Sequence, residues 1–204
     1  MKNNPPYWLY RRTRILNILH SLKMAGAHSQ MTADEKACLA RYASNKKLAL
    51  EIGTYMGVSA SIIANSLSKD GTLYCIDPFE KKNNETNPKY KIAERELKRA
   101  DVFSKIFFLI GYSSDENIKE QIPGKLDFIF VDGDHSYEGL ENDWQIVLSK
   151  LDSKGIVCLH DTTIPERDLN RDFGSVKFFN DIIRSDKDFS LLETVYSMNI
   201  LIRK

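Results

Sequence analysis

The chain has 204 residues, a length that predicts one domain with at most a small appendage. Hydrophobic residues make up 42%, enough for a real core, which excludes disorder over most of the chain. A net charge of +1 offers no global field to draw in nucleic acid or an anionic membrane, so neither is an expected partner.

The opening stretch, MKNNPPYWLYRRTRILNILHSL, mixes apolar residues with Arg11, Arg12 and Arg14. No apolar run in it reaches the length of a signal core or a membrane span, so no stable membrane insertion is expected. It reads as a basic amphipathic helix over about residues 8–24, inside an appendage covering 1–27. The expected role is packing on the domain or on a second copy of the chain as a homodimer. Membrane-surface contact and a lid over substrate are the alternatives. Of the three cysteines, Cys75 and Cys158 lie in apolar runs and read as buried free thiols. Cys38 shares no Cys-x-x-Cys spacing with them. An odd count without a secretion signal fits a reducing cytoplasm.

The main domain is expected over 28–204. Thr32 followed by Glu35 is a capping-box pattern that opens a helix. Strands are predicted near 48–53, 72–77, 106–110, 126–132 and 155–160, with a final pair near 190–196 and 198–203. The middle strands are nearly continuous apolar runs, as in a parallel sheet covered on both faces. Helices fall between them over 58–68, 88–100, 137–150 and 174–185. Strand–helix alternation implies a doubly wound α/β sheet. The last two strands are too close in sequence for a parallel crossover and must form an antiparallel hairpin.

Ligands of such sheets bind beyond the carboxyl ends of the strands. LEIGTYMGVSA, at the end of the first strand, holds Glu51, Gly53, Gly57 and Ser59. Gly53 permits a tight path off the strand, and Gly57 lets a helix or ligand come close. The spacing is Gly-x-x-x-Gly rather than Gly-x-Gly-x-x-Gly, which favours a ligand with a small carboxylate over a pyrophosphate. Asp77 ends the second strand twenty residues after Gly57, where an acid can accept both hydroxyls of a ribose. In GYSSDE, Ser113, Ser114 and Asp115 either read an adenine edge or cap the next helix.

These blocks resemble a class I S-adenosylmethionine-dependent methyltransferase. EIGTYMGVSA is similar to the first glycine turn of the catechol O-methyltransferase group. DGDHSYEG and the later His-Asp pair resemble a bacterial family of small-molecule and sugar O-methyltransferases. The resemblance covers roughly 28–203 and implies a Rossmann-like seven-stranded sheet, mostly parallel, with a C-terminal antiparallel hairpin. It implies that Glu51, Gly53, Tyr55, Gly57 and Ser59 hold the methionine part of S-adenosyl-L-methionine, and that Asp77 grips the ribose. Pro78 and Phe79 would lie beside the adenine, with Ser113 and Ser114 at its edge and Asp132 nearby.

DFIFVDGDHSYEGLENDW brings Asp132, Asp134 and His135 together, and GIVCLHDTT adds His160 and Asp161 on the next strand. Neighbouring strands lie about 4.8 Å apart, so these ends converge. Clustered carboxylates need a proton, a basic side chain or a metal. Methyl transfer to a hydroxyl needs the nucleophile aligned and deprotonated. His135 is the expected base, working with Asp132, and His160 is the second candidate. The resemblance places a divalent cation, Mg²⁺ or another, on Asp132 or Asp134 and on Asp161; His160 is a further candidate ligand because a histidine also admits a transition metal. Thr162 stands where relatives carry Asp or Asn, a departure that weakens the metal assignment. Trp144 is expected to pack the buried face of the helix that follows.

The loops 162–175 and 79–91 are expected to flank the pocket, with Arg167, Arg171, Lys81 and Lys82 facing an acidic substrate or plain solvent. Residues 28–32 precede the first core helix and can close over the cofactor carboxylate. The reading is a methyltransferase acting on oxygen of a small molecule or sugar. Its rivals are a nicotinamide or nucleotide-sugar enzyme, against which the glycine spacing speaks, and a non-catalytic cofactor-binding module, which has no need of clustered acids.

Overall fold

The computed structural model describes residues 9, 11–79, 87–165 and 173–204. The strands are β1 (Leu48–Ile52), β2 (Thr72–Asp77), β3 (Ile106–Ile110), β4 (Leu126–Val131), β5 (Leu151–Leu159), β6 (Phe189–Val195) and β7 (Met198–Arg203). They form one sheet in the order β3-β2-β1-β4-β5-β7-β6. The first five strands run parallel, and β7 is antiparallel to both β5 and β6. The helices are α1 (Thr13–Ser21), α2 (Ala33–Ala43), α3 (Val58–Ser66), α4 (Pro88–Arg99), α5 (Glu116–Lys119), α6 (Tyr137–Lys150) and α7 (Gly174–Asp181). Seven strands, mostly parallel, ending in a hairpin is the predicted architecture.

Alternation along the strands divides the core in two. On one face Leu50, Ile52, Ile129, Val131 and Val157 meet Leu140 and Trp144 of α6 and Phe178 of α7. On the other, Ala49, Cys75, Phe128, Phe130 and Cys158 meet Leu39 of α2, Ile63 of α3 and Leu97 of α4. Trp144 is buried against the Phe189 ring, as its place in the sequence suggests. All three cysteines are buried free thiols. The helix after β1 and the helix after β4 lie on opposite faces, and β1 and β4 are neighbours. The crevice between their carboxyl ends is therefore the switch point of the sheet.

Several boundaries differ from the sequence reading, and one short helix lies outside it. β5 begins at Leu151 rather than 155, directly after α6. Its first polar residues, Asp152, Ser153 and Lys154, are exposed, so no apolar run marks them. α5 is a single turn with too little periodicity to detect. α1 ends at Ser21, and Lys23 takes a left-handed backbone (φ 61°) that stops the helix. Among the described residues, no helix is long and apolar enough to cross a membrane.

Two features of β1 fix the crevice. Gly53 leaves the strand with φ +93°, and a Cβ on it would lie 2.0 Å from the carbonyl oxygen of Asp132. Only glycine lets the turns after β1 and β4 touch. Glu51 is wholly buried among Thr54, Ser59 and Cys75, and neither of its oxygens has an aligned hydrogen-bond partner. Burial, only partly offset by Ser59 and Thr54, pushes its carboxyl up to about 8. The folded protein thus holds a proton on Glu51 that the unfolded chain releases above its ordinary value near 4.5.

Gly53→Ala is expected to cost about 2–4 kcal/mol in urea unfolding, from left-handed strain plus overlap with Asp132. Gly26→Ala, with nothing within 4 Å, serves as the neutral control. Glu51 gives a pH signature of definite sign. Its stability contribution is present at pH 4.5 and is lost as pH rises toward 8. Glu51→Gln removes that slope, so the stability difference between wild type and variant should shift by a few kcal/mol, on the order expected for such a displacement, across that window. A pH-independent difference would show that Glu51 folds ionised.

Candidate active site

A cavity of about 560 Å³ fills the switch-point crevice. It is lined by residues 53–56, Val58 and Ser59 from the first turn, by Asp77, Pro78 and Phe79 after β2, and by Tyr112 and Ser113 after β3. Asp132, Gly133, Asp134, His135, His160 and Asp161 line it as well. The two quoted turns therefore meet in one pocket. Residues 28–31 form a further wall, where the His28 ring stands edge-on to Tyr55 with centroids 6.1 Å apart.

Asp77 is held from its own backbone side. Its oxygens accept the N–H groups of Tyr55 and Phe79, each at 2.7 Å. Burial raises its carboxyl, against the pull of those two donors. A carboxylate has about four lone-pair sites, so Asp77, which lines the cavity, can accept from a ligand hydroxyl as well. The same bonds secure Tyr55 (φ 49°) and Phe79 (φ 36°), which, like Asp161 (φ 50°) after β5, adopt left-handed backbone at the cavity. Such strain in non-glycine residues persists where surrounding contacts over-determine it, and it concentrates at functional sites.

Three residues assigned to the cofactor from sequence do not line the cavity. Glu51 stands behind Ser59 and Thr54 and acts on the pocket only through them. Gly57 serves helix packing: a Cβ there would lie 3.0 Å from Cα of Ala93 on α4. Ser114 is also absent from the lining, which takes Tyr112 and Ser113 instead. Lys89 lines the cavity with its Nζ 5.4 Å from the Tyr55 ring centre. It lies within 79–91, the segment expected to flank the pocket, but also in a charged helix that reads as solvated, so the sequence does not single it out. Sequence reading missed Asp143. It is buried behind Gly133, and burial lifts its carboxyl to about 7 with Ser113 opposing.

The acids sort differently from the sequence reading. Oxygens of Asp132 and Asp161 and a ring nitrogen of His135 lie within 4.8 Å of one another. His135 Nε2 is 3.7 Å from Asp161 Oδ2 and 3.9 Å from Asp132 Oδ1. Asp134 is not in this group. Its carboxylate accepts the Ser136 N–H at 2.9 Å and braces the start of α6. His160 is 6% exposed and lines the cavity beside the cluster. Its Nδ1 is 3.1 Å from Asp132 Oδ1 and 3.5 Å from Asp161 Oδ2, without the alignment of a hydrogen bond. Its Nε2 is 3.4 Å from Glu35 Oε1. Burial opposes its protonation, yet Asp132, Asp161 and Glu35 together hold it up to about 12. Burial likewise raises Glu35, but His160, Thr32 and Ser197 bring it down to about 2.

His160 is thus an imidazolium set among three carboxylates. One positive charge leaves that group two negative charges in excess. Two carboxylates and the His135 imidazole on one side of a cavity suit a divalent cation, and the excess negative charge fits that use. The His135 ring lies beside Phe173, with centroids 5.4 Å apart, on the accessible side. Lys81, Lys82, Arg167 and Arg171, expected around the entrance, lie outside the described residues.

Comparison with known proteins agrees with this geometry. Residues 50–162, more than half of the chain, match a family described as a methyltransferase domain. An uncharacterized protein, R132 of Acanthamoeba polyphaga mimivirus, is 29% identical over 115 residues, which span 55% of this chain and half the length of that protein. Among solved structures, the O-methyltransferase from Bacillus cereus in complex with SAH superposes with a TM-score of 0.67 at 20% identity, covering 98% of this chain and 92% of that one. The O-methyltransferase TomG from Streptomyces achromogenes, in complex with SAM, gives 0.66 at 16% identity, covering 94% and 89%. Cofactor-bound Rv0187 from MTB gives 0.69 at 15% identity, covering 100% and 99%. With the family match lying across both turns of the switch point, the chain belongs to the methyltransferase-domain family and carries its class I fold.

Proposed function

We propose that the protein is an S-adenosyl-L-methionine-dependent methyltransferase acting on a hydroxyl of a small molecule or sugar. The observation that carries this reading is the single cavity joining Asp77 and the Gly53 turn to the Asp132, His135 and Asp161 cluster. The solved neighbours that hold SAM or SAH support the cofactor. The family match leaves the nicotinamide and nucleotide-sugar alternative without support.

In this reading Asp77 accepts the ribose hydroxyls, Pro78 and Phe79 wall the adenine, and Ser113 meets its edge. Gly53, Tyr55 and Ser59 hold the methionine portion, with Glu51 supporting Ser59 from behind. When bound, the cofactor supplies an activated methyl group. The protein's task is to align the acceptor oxygen and remove its proton. His135, half-buried beside two carboxylates, takes that proton at its ring nitrogen, and Asp132 and Asp161 stabilise the charge it acquires. A divalent cation held by Asp132, His135 and Asp161 would instead acidify a bound hydroxyl directly. One ring cannot serve both uses at once. The acceptor enters on the side of His135 and Phe173.

Two titrations test this. Calorimetry should show S-adenosylhomocysteine binding that weakens about 10–100-fold in Asp77→Ala, the loss expected for charge-assisted hydrogen bonds. Unchanged affinity would remove Asp77 from the site. Mg²⁺ titration then separates the two uses of His135. Binding heat abolished in both Asp161→Ala and His135→Ala assigns the ring to the cation. Absence of Mg²⁺ and Mn²⁺ binding leaves it as the base.

A further inference from the structure

Glu35 lies on the first turn of α2 and is fully buried, although it touches neither turn of the cavity. Its two oxygens work in two directions. Oε2 accepts the N–H of Thr32 at 2.7 Å and its hydroxyl at 2.9 Å, closing the capping box. Oε1 accepts the N–H and the hydroxyl of Ser197, at 3.1 and 2.7 Å, and sits 3.4 Å from Nε2 of His160. Thr32 directly follows residues 28–31, which wall the cavity. Ser197 forms the β6–β7 turn, and its carbonyl accepts the N–H groups of Thr162 and Thr163 beside Asp161. One carboxylate therefore ties the cavity wall, the hairpin and the acid cluster together.

A capping box needs one oxygen and no burial. It does not explain why the second oxygen is aimed at a buried histidine. We propose that Glu35 is a positioning residue for the acid cluster. It holds the His160 ring from the Nε2 side, by its charge 3.4 Å away and through the Ser197 hydroxyl, which donates to Glu35 and lies 3.4 Å from Nε2, so that Nδ1 faces Asp132 and Asp161 and keeps those carboxylates adjacent. A carboxylate paired with one ring nitrogen, directly or through a hydroxyl, sets the direction of the other, which is how ring orientation is controlled at many histidine sites. The inference rests on the cluster being the reacting end of the cavity, as proposed above.

The two jobs of Glu35 separate by mutation. Thr32→Ala removes the cap and leaves Oε1 in place. Glu35→Gln keeps the cap through its amide oxygen but turns an NH₂ toward Ser197 and His160. The readout is NMR of the ring nitrogens in protein labelled with ¹⁵N-histidine. Four histidines are present, and His160→Gln assigns the relevant signals. Thr32→Ala should lower Tm by about 2–4 °C and leave the His160 signals at their wild-type positions. Glu35→Gln should move them. In the wild type, the His160 Nε2–H proton should exchange slowly with solvent, a test that does not require any variant to fold. Unmoved signals in Glu35→Gln, or a wild-type ring proton that exchanges at once, would reduce Glu35 to a helix cap. A parallel titration with S-adenosylhomocysteine keeps the two readings apart. Ring signals that move in a protein unable to bind it would preserve the role of Glu35 and sink the cofactor assignment.

Discussion

The site depends on the contact between Gly53 and the backbone of Asp132. Strands β1 and β4 are neighbours whose following helices leave toward opposite faces, so a crevice opens between their ends. What closes its floor is the approach of one turn to the other. The N–H of Asp132 donates to Ile52, and the N–H of Gly53 donates to Ile76, so β2, β1 and β4 are laced together just where the chain turns away. A side chain at 53 would push these turns apart. The residues after β1 and those after β4 would then no longer share a cavity.

Charge organises the second half of the site. Asp132 and Asp161 come from adjacent strand ends, and their repulsion would separate them without a positive group between them. The buried His160 fills that place, and it is itself buried against Glu35. His135 is then left on the open side of the same carboxylates. The two histidines expected as competing bases thus differ in burial, His160 enclosed and His135 on the open side. Glu51 illustrates the opposite solution to a buried acid. Burial raises its carboxyl, and no cation among the described residues offsets this, so it keeps its proton.

The sheet was legible because its strands are dense apolar runs and its hairpin leaves no room for a crossover. The first turn was legible because glycine, acid and serine fall where a strand meets a helix. The roles within it were less so. Gly57 and Gly53 look alike in sequence, but Gly57 faces Ala93 across a helix pair and Gly53 faces Asp132. Asp134 and Asp132 are two residues apart, yet one turns back to brace α6 and the other joins the cluster. Such choices are set by side-chain direction after a turn, which spacing does not encode. Glu35 was recognised as half of a capping box, while its second oxygen depends on a hairpin more than a hundred residues away.

The most direct test of the account is a crystal structure with S-adenosylhomocysteine. The account predicts the ribose on Asp77, the amino acid portion against the Gly53 turn, and the sulfur directed toward Asp132, His135 and Asp161. A molecule bound with its sulfur turned away from that cluster, or in another part of the protein, would contradict the claim that the two turns form one catalytic pocket.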